Sequence, residues 1–209
     1  MHREQGLYRK DASAHIVGMA ILDIALMGNP ILARQAALVE DPGDPAVAAL
    51  VADMMETMTA ANGVGLAAPQ VMRSLQLVIF FVPAERTLDG LGLPLTVLIN
   101  PVIEPLGDIV DEAYEGCLSV PGLTGRVPRW RNIGYRGLGL DGKPMEREAS
   151  GFHARVVQHE CDHLWGRLYV SRMRDMASLA FADELRKQIV ASQEETATAE
   201  PSGVVGEEA

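Results

Sequence analysis

Cysteine is scarce: the 209-residue chain has two, too few for a disulfide scaffold. Positive charge is short as well. Eighteen Lys and Arg stand against 28 Asp and Glu, a formal net charge of −10. Neutralising a phosphate backbone takes a cationic surplus, so the chain is a poor general nucleic-acid binder. Nor is there a long apolar run. The longest, Ile16 to Met27, contains Asp23 and falls short of the roughly 18–20 residues that a membrane span needs. The mixed charge of His2, Arg3 and Glu4, together with Asp23, also argues against a secretory signal. These absences predict a cytoplasmic, thiol-reducing setting, in which cysteines are metal ligands, nucleophiles or inert small residues rather than bridges. Internal repeats are absent.

What is present is a globular composition, 48% hydrophobic and 22% charged, which excludes wholesale disorder. The length suits one domain with trimmings. Residues 1–15 read as a loose polar arm, 193–209 as an acidic disordered tail, and 16–192 as the folded unit. A helix is predicted from Pro45 to about Ala61, capped by Asp44 and stopped by Asn62-Gly63. Val47, Leu50, Val51, Met54, Met55 and Met58 form its apolar stripe. Strands are predicted over Leu75 to Val82 and Leu95 to Ile99, the latter ended by Asn100-Pro101. Two or three more are expected between Ile109 and Glu148, with Asp141-Gly142 as a hairpin turn, and Asp89-Gly90 marks a turn in an exposed loop. A second helix runs from its cap Ser150 to about Trp165, and a third from Asp175 to about Gln193. Strands grouped between helices predict an α+β domain rather than βαβ units.

The strongest chemical signal is His159-Glu160-Cys161-Asp162-His163, an HExxH motif. Side chains four apart on a helix diverge by only about 40°, so the two imidazoles can converge on one ion. Glu160 beside them can take a proton from a water on that ion. Placing two histidines and two carboxylates in an apolar helix is costly unless they serve a purpose. A catalytic site needs a third protein ligand. No histidine follows His163, and Asp175, Asp183 and Glu184 are the acidic candidates downstream. Upstream, Glu115-Gly116-Cys117-Leu118-Ser119 offers a thiolate, a strong ligand for borderline metals. Cys161 lies about 200° around the helix from His159 and reads as a small buried residue. His2, His15 and His153 read as surface residues. A third feature is Gly63-Val64-Gly65-Leu66-Ala67-Ala68-Pro69-Gln70. Its small residues permit close backbone approach, and Gln70 has an amide able to donate to an oxyanion. No Gly-Lys-Ser/Thr follows, so it is not a phosphate loop.

Taken together, GVGLAAPQ, EGCLS and QHECDHL resemble the three signature motifs of the peptide deformylase family, in order. Gly28-Asn29-Pro30-Ile31-Leu32, Asp141 to Pro144 and Ser150 to Phe152 extend the resemblance over about residues 28–175. It implies a compact α+β domain with a central HExxH helix wrapped by small antiparallel sheets, plus a C-terminal helix. The activity implied is removal of the N-formyl group from the initiator methionine, releasing formate. By the same resemblance Cys117, His159 and His163 are the metal ligands and Glu160 the general base and acid. Gln70 and the Leu118 N–H stabilise the oxyanion. Val64, Gly65 and Gly116 pair with the extended substrate, and Phe152, Arg155 and Val156 lie near the methionine pocket, Arg155 by its aliphatic stem. The implied native metal is Fe2+, with Zn2+, Ni2+ or Co2+ as substitutes. Implied partners are N-formylmethionyl peptides and nascent chains, with room for a transient ribosome contact. The acidic tail does not carry over the docking that a basic C-terminal helix performs in some relatives. Departures are Trp165, where a polar residue is common, and Leu123-Thr124, where some relatives are polar or basic. A zinc endopeptidase would need a downstream third ligand, and a structural metal site would need a fourth.

Overall fold

The computed structural model describes residues 20–87 and 90–198. The arm over 1–15 with His2 and His15, the tail beyond 198 and Asp89 of the expected Asp89-Gly90 turn lie outside the described residues. Among the described residues three helices, α1 (Pro45–Ala60), α2 (Gly151–Leu164) and α3 (Ala182–Thr198), accompany eight strands. Five strands build one antiparallel sheet in the order β1-β2-β3-β6-β7: β1 (Gly65–Ala67), β2 (Leu77–Val82), β3 (Leu93–Pro105), β6 (Asn132–Leu138) and β7 (Pro144–Ser150). β4 (Val110–Cys117), β5 (Val120–Trp130) and β8 (Ala180–Phe181) form a second antiparallel sheet in that order.

At β1 and β2 the larger sheet is buried on both faces, which explains the unbroken apolar run of β2. Leu77 and Ile79 pack with Val47, Val51, Met54 and Met58 of α1. Val78 and Phe80 pack with Ala154, Val157 and Cys161 of α2. Cys161 is fully enclosed there, and burial pushes its thiol pKa well up, as suits an inert small side chain. On α1, Asp44 accepts from the Ala46 N–H and Pro45 takes the first turn, as expected. Met55 does not join the stripe; it is exposed.

Four further expectations are corrected. β3 does not end at Asn100-Pro101 but passes through a bulge between Ile99 and Val102. Asn100 adopts φ 51°, a left-handed conformation that Asn tolerates, and its amide bridges both backbone groups of Val39 at 2.9 Å. The stretch from Ile109 to Glu148 reaches into four strands, β4 to β7, rather than two or three. The third helix starts at Ala182, because Asp175 caps only a 3-10 turn, Met176–Ser178, before Ala180 and Phe181 pair with Thr124 and Leu123. It continues through Thr198, past Gln193. His153 is half-buried rather than on the surface, with Nε2 3.1 Å from the Tyr135 hydroxyl, and burial lowers its pKa.

Candidate active site

α2 crosses from the large sheet to the small one, and its second face carries the polar residues. Its join to the small sheet is made by hydrogen bonds. Gln158 donates to the Trp130 carbonyl and accepts from the Trp130 N–H, at 2.9 and 3.1 Å. On this face His159 and His163 stand one turn apart, ring centroids 5.3 Å from each other. The β4–β5 hairpin supplies Cys117, the last residue of β4, just before the turn at Leu118-Ser119. Cys117 Sγ lies 3.5 Å from His163 Nε2. The ligand atoms of Cys117, His159 and His163 all fall within 4.8 Å of one another. That 3.5 Å edge fits a tetrahedron with metal bonds of about 2.0 to 2.3 Å. Thiolate and imidazoles suit a borderline divalent ion, so the three residues fit one metal.

Glu115 orients the first of these histidines. Two residues before Cys117 on the same strand, it shares the face of that cysteine. Its Oε2 lies 2.8 Å from His159 Nδ1. A carboxylate only accepts, so Nδ1 carries the hydrogen and Nε2 is left for a metal. Arg129 donates to both Glu115 oxygens at 2.9 Å and also to Asp162, which Arg172 holds from the other side. Burial pushes the Glu115 pKa up, but hydrogen bonds from His159 and Arg129 outweigh it and hold the carboxyl well below its usual range. Tyr169, fully buried, stacks on the His159 ring at 6.2 Å.

Gln70 closes the other side. Its Oε1 accepts from the Ala67 N–H at 2.9 Å, which turns Nε2 towards Ser119 Oγ at 3.1 Å and Cys117 Sγ at 3.5 Å. The amide therefore presents donors beside the sulfur. Glu160 is buried, and its Oε2 has no partner among the described residues; neither has His163 Nδ1. Burial raises the Glu160 pKa to about 7. A Cβ placed on Gly65 would overlap the Glu160 carboxylate, so glycine is required by that approach.

These groups border a cleft of about 590 Å³. Val64, Gly65, Gln70, Gly116, Cys117, Leu118, Phe152, Arg155, Val156, His159 and Glu160 all line it; His163 lies behind it. β1 and β4 are edge strands of their sheets, and both reach the cleft. The Arg155 guanidinium is turned away into hydrogen bonds with Glu115, Val127 and Asp111. Arg86, which the sequence did not single out, lies over the Phe152 ring at 4.0 Å.

Residues 21–178 match the family model described as polypeptide deformylase. A Bordetella pertussis protein named peptide deformylase 1 is 56% identical over 163 residues, covering 78% of this chain and 93% of that one. The chain belongs to the peptide deformylase family. A Xanthomonas campestris peptide deformylase 1 is 52% identical, covering 79% of this chain and 97% of its own. The Acinetobacter baumannii class I type b peptide deformylase, solved with Met-Ala-Ser bound, superposes with a TM-score of 0.69 at 37% identity, over 75% of this chain and all of that one. A Synechococcus elongatus peptide deformylase in complex with actinonin gives a TM-score of 0.67 at 36% identity, over 75% and 81%. Deformylases remove the N-formyl group from nascent peptides, and their metal dependence agrees with the Cys117, His159 and His163 cluster. The Glu115, Arg129 and Asp162 network was missed in the sequence. The one available signal was the alternation that puts Glu115 on the face of Cys117.

Proposed function

We propose that this deformylase hydrolyses the formamide of N-formylmethionyl nascent chains, with Cys117, His159 and His163 as metal ligands and Glu160 as the proton carrier. The observation that carries the reading is that Cys117, His159, Glu160 and Gln70 meet on one cleft, with the His163 ligand atom within 4.8 Å of those of Cys117 and His159. A divalent ion held there supplies Lewis-acid polarisation and an acidified water. The chain's own groups do the rest. Glu160 removes the proton of the attacking water through its free oxygen and returns it to the departing amine. Gln70 Nε2 and the Leu118 N–H donate to the oxygen as charge collects on it; losing one such donor typically costs about 3 kcal/mol of barrier. The peptide lies as an added strand between the open edges at Val64-Gly65 and Gly116. The methionine side chain enters beside Phe152, Val156 and the Arg155 stem.

Fe2+ is the native metal in this reading, with Zn2+, Ni2+ or Co2+ as substitutes; a thiolate with two imidazoles accepts all of them, so availability decides. The catalytic unit spans 16–192 and works in the cytoplasm. Among the described residues no helix is long and apolar enough to cross a membrane. A transient ribosome contact would bring the cleft to emerging chains. The test is formate release from N-formyl-Met-Ala-Ser by anaerobically prepared protein, with metal analysis of the same sample. Fully metal-loaded wild type that releases no formate defeats the assignment.

A further inference from the structure

We propose that Arg155 is a positioning residue that couples the side-chain pocket to the metal ligands. Its stem forms pocket wall while its guanidinium fixes Glu115, and through Glu115 the His159 ring. The inference rests on the reading of the cleft as the formylmethionine site.

Phe152, Arg155, Val156 and His159 are spaced to share one face of α2, and all four line the cleft. A side chain that enters there touches the Arg155 stem one turn from His159. The guanidinium beyond that stem is buried and makes three hydrogen bonds. It donates to Glu115 Oε1 at 2.7 Å, to the Val127 carbonyl at 2.8 Å and to the Asp111 carbonyl at 2.8 Å. These acceptors lie on β4 and β5, so one side chain pins α2 to both strands of the hairpin that delivers Cys117.

Charge balance separates Arg155 from its neighbours. Glu115 and Asp162 are already matched by Arg129 and Arg172, which pair with them directly. Arg155 is a third cation on two carboxylates, so neutralisation does not require it. What it adds is direction. Arg129 holds Glu115 from one side by a fork to both oxygens, and Arg155 fixes Oε1 from α2 itself. Oε2 is thereby aimed at His159 Nδ1. Partners of this kind to metal-binding histidines typically contribute 10- to 100-fold in metal affinity or activity.

The test compares wild type, Arg155→Met and Arg155→Lys. Met keeps an apolar stem and removes every donor; Lys keeps the charge on a single donor nitrogen and loses the planar fork. Three readouts are needed: Co2+ affinity by chelator competition, the visible Co2+ absorption band, and the melting midpoint of the metal-free proteins. R155M is expected to bind Co2+ about 10- to 100-fold more weakly and to show a shifted band even at saturating Co2+; its metal-free midpoint falls too, because Glu115 Oε1 and two buried carbonyls lose their donor. R155K should fall between R155M and wild type. In formate release with N-formyl-Met-Ala-Ser, R155M should lower kcat and leave KM within about threefold, since the pocket wall remains.

Wild-type Co2+ affinity and band in R155M overturn the proposal. So does a loss of affinity and of metal-free stability with a wild-type band at saturating Co2+, which would mark Arg155 as a structural cross-link alone. If R155M does not fold, R155K decides: a wild-type band at saturating Co2+ overturns the proposal, and a several-fold affinity loss with a shifted band supports it. The Co2+ readouts need no turnover. Absent formate release with a Co2+ effect would sink the deformylase reading alone, and normal release with no Co2+ effect would sink this one alone.

Discussion

Desolvation raises the Glu160 pKa to about 7, with the Glu115 charge adding to it and His159 and Arg129 opposing it. The usual value is 4.5. In metal-free protein the folded state therefore keeps a proton that the unfolded chain releases. The Glu160 contribution to stability is full below pH 4.5 and is lost as pH rises through about 7. Glu160→Gln has no such dependence. In urea unfolding of metal-free protein, E160Q should be more stable than wild type at pH 8 by about 3 kcal/mol and should match it at pH 4. Equal stability at both pH values would show that the carboxyl is not desolvated in the folded chain. The same substitution should lower formate release by about 100-fold or more, because no other group carries the proton. Gly65→Ala probes the same carboxylate from the substrate side. The added methyl meets Glu160, and the helix carrying Glu160 is fixed in the core. Activity should fall at least about tenfold while circular dichroism stays native; full activity would mean that the β1 backbone yields instead.

Among the elements, those written in local sequence were legible. α1 carries its cap, its first-position proline and its stripe within one stretch, and structure and expectation agree to a residue at its end. The ligand pair on α2 was legible for the same reason, since HExxH needs only helical geometry. What was not legible depends on distant partners. Arg129, Glu115 and Asp162 lie on β5, β4 and α2, and no local spacing announces that they meet. The start of α3 was misplaced because Ala180-Phe181 are strand only through their pairing with Leu123-Thr124. β3 was cut short because Asn100-Pro101 resembles a terminator. Only the Val39 backbone, 61 residues earlier, makes Asn100 a bulge instead. That bulge gives an ordering. Asn100→Gly loses two hydrogen bonds and keeps the left-handed conformation; Asn100→Ala loses both. N100G should destabilise by about 1–3 kcal/mol and N100A by about 1 kcal/mol more, read as shifts in urea midpoint. A reversed order would mean that the backbone there is not strained by a Cβ.

On the scale of the whole molecule, the two sheets are held by different forces. The five-stranded sheet is clamped between α1 and α2 through two large apolar clusters. The β4–β5 hairpin has a small apolar cluster of its own, centred on Val120, Val127 and Tyr169. It joins α2 chiefly through hydrogen bonds and ion pairs: Arg155 to Glu115, Arg129 to Asp162, and Gln158 to Trp130. A metal bound by Cys117 from the hairpin and His159 and His163 from α2 is one more tie across that same junction. Binding to the native state alone at 1,000 times Kd stabilises by about 4 kcal/mol, which for a domain of this size is about 8–16 °C in Tm. Chelation should lower Tm by an amount in that range. The loss should also be local, because regions with few buried apolar contacts open first. In hydrogen exchange of the chelated protein, amides of β4 near Tyr114 to Cys117 should lose protection early, while those of β2 from Leu77 to Phe80 keep theirs until global unfolding. Uniform loss of protection in both strands would mean that the hairpin and the clamped sheet are one cooperative unit, and that the polar junction is as strong as the apolar core.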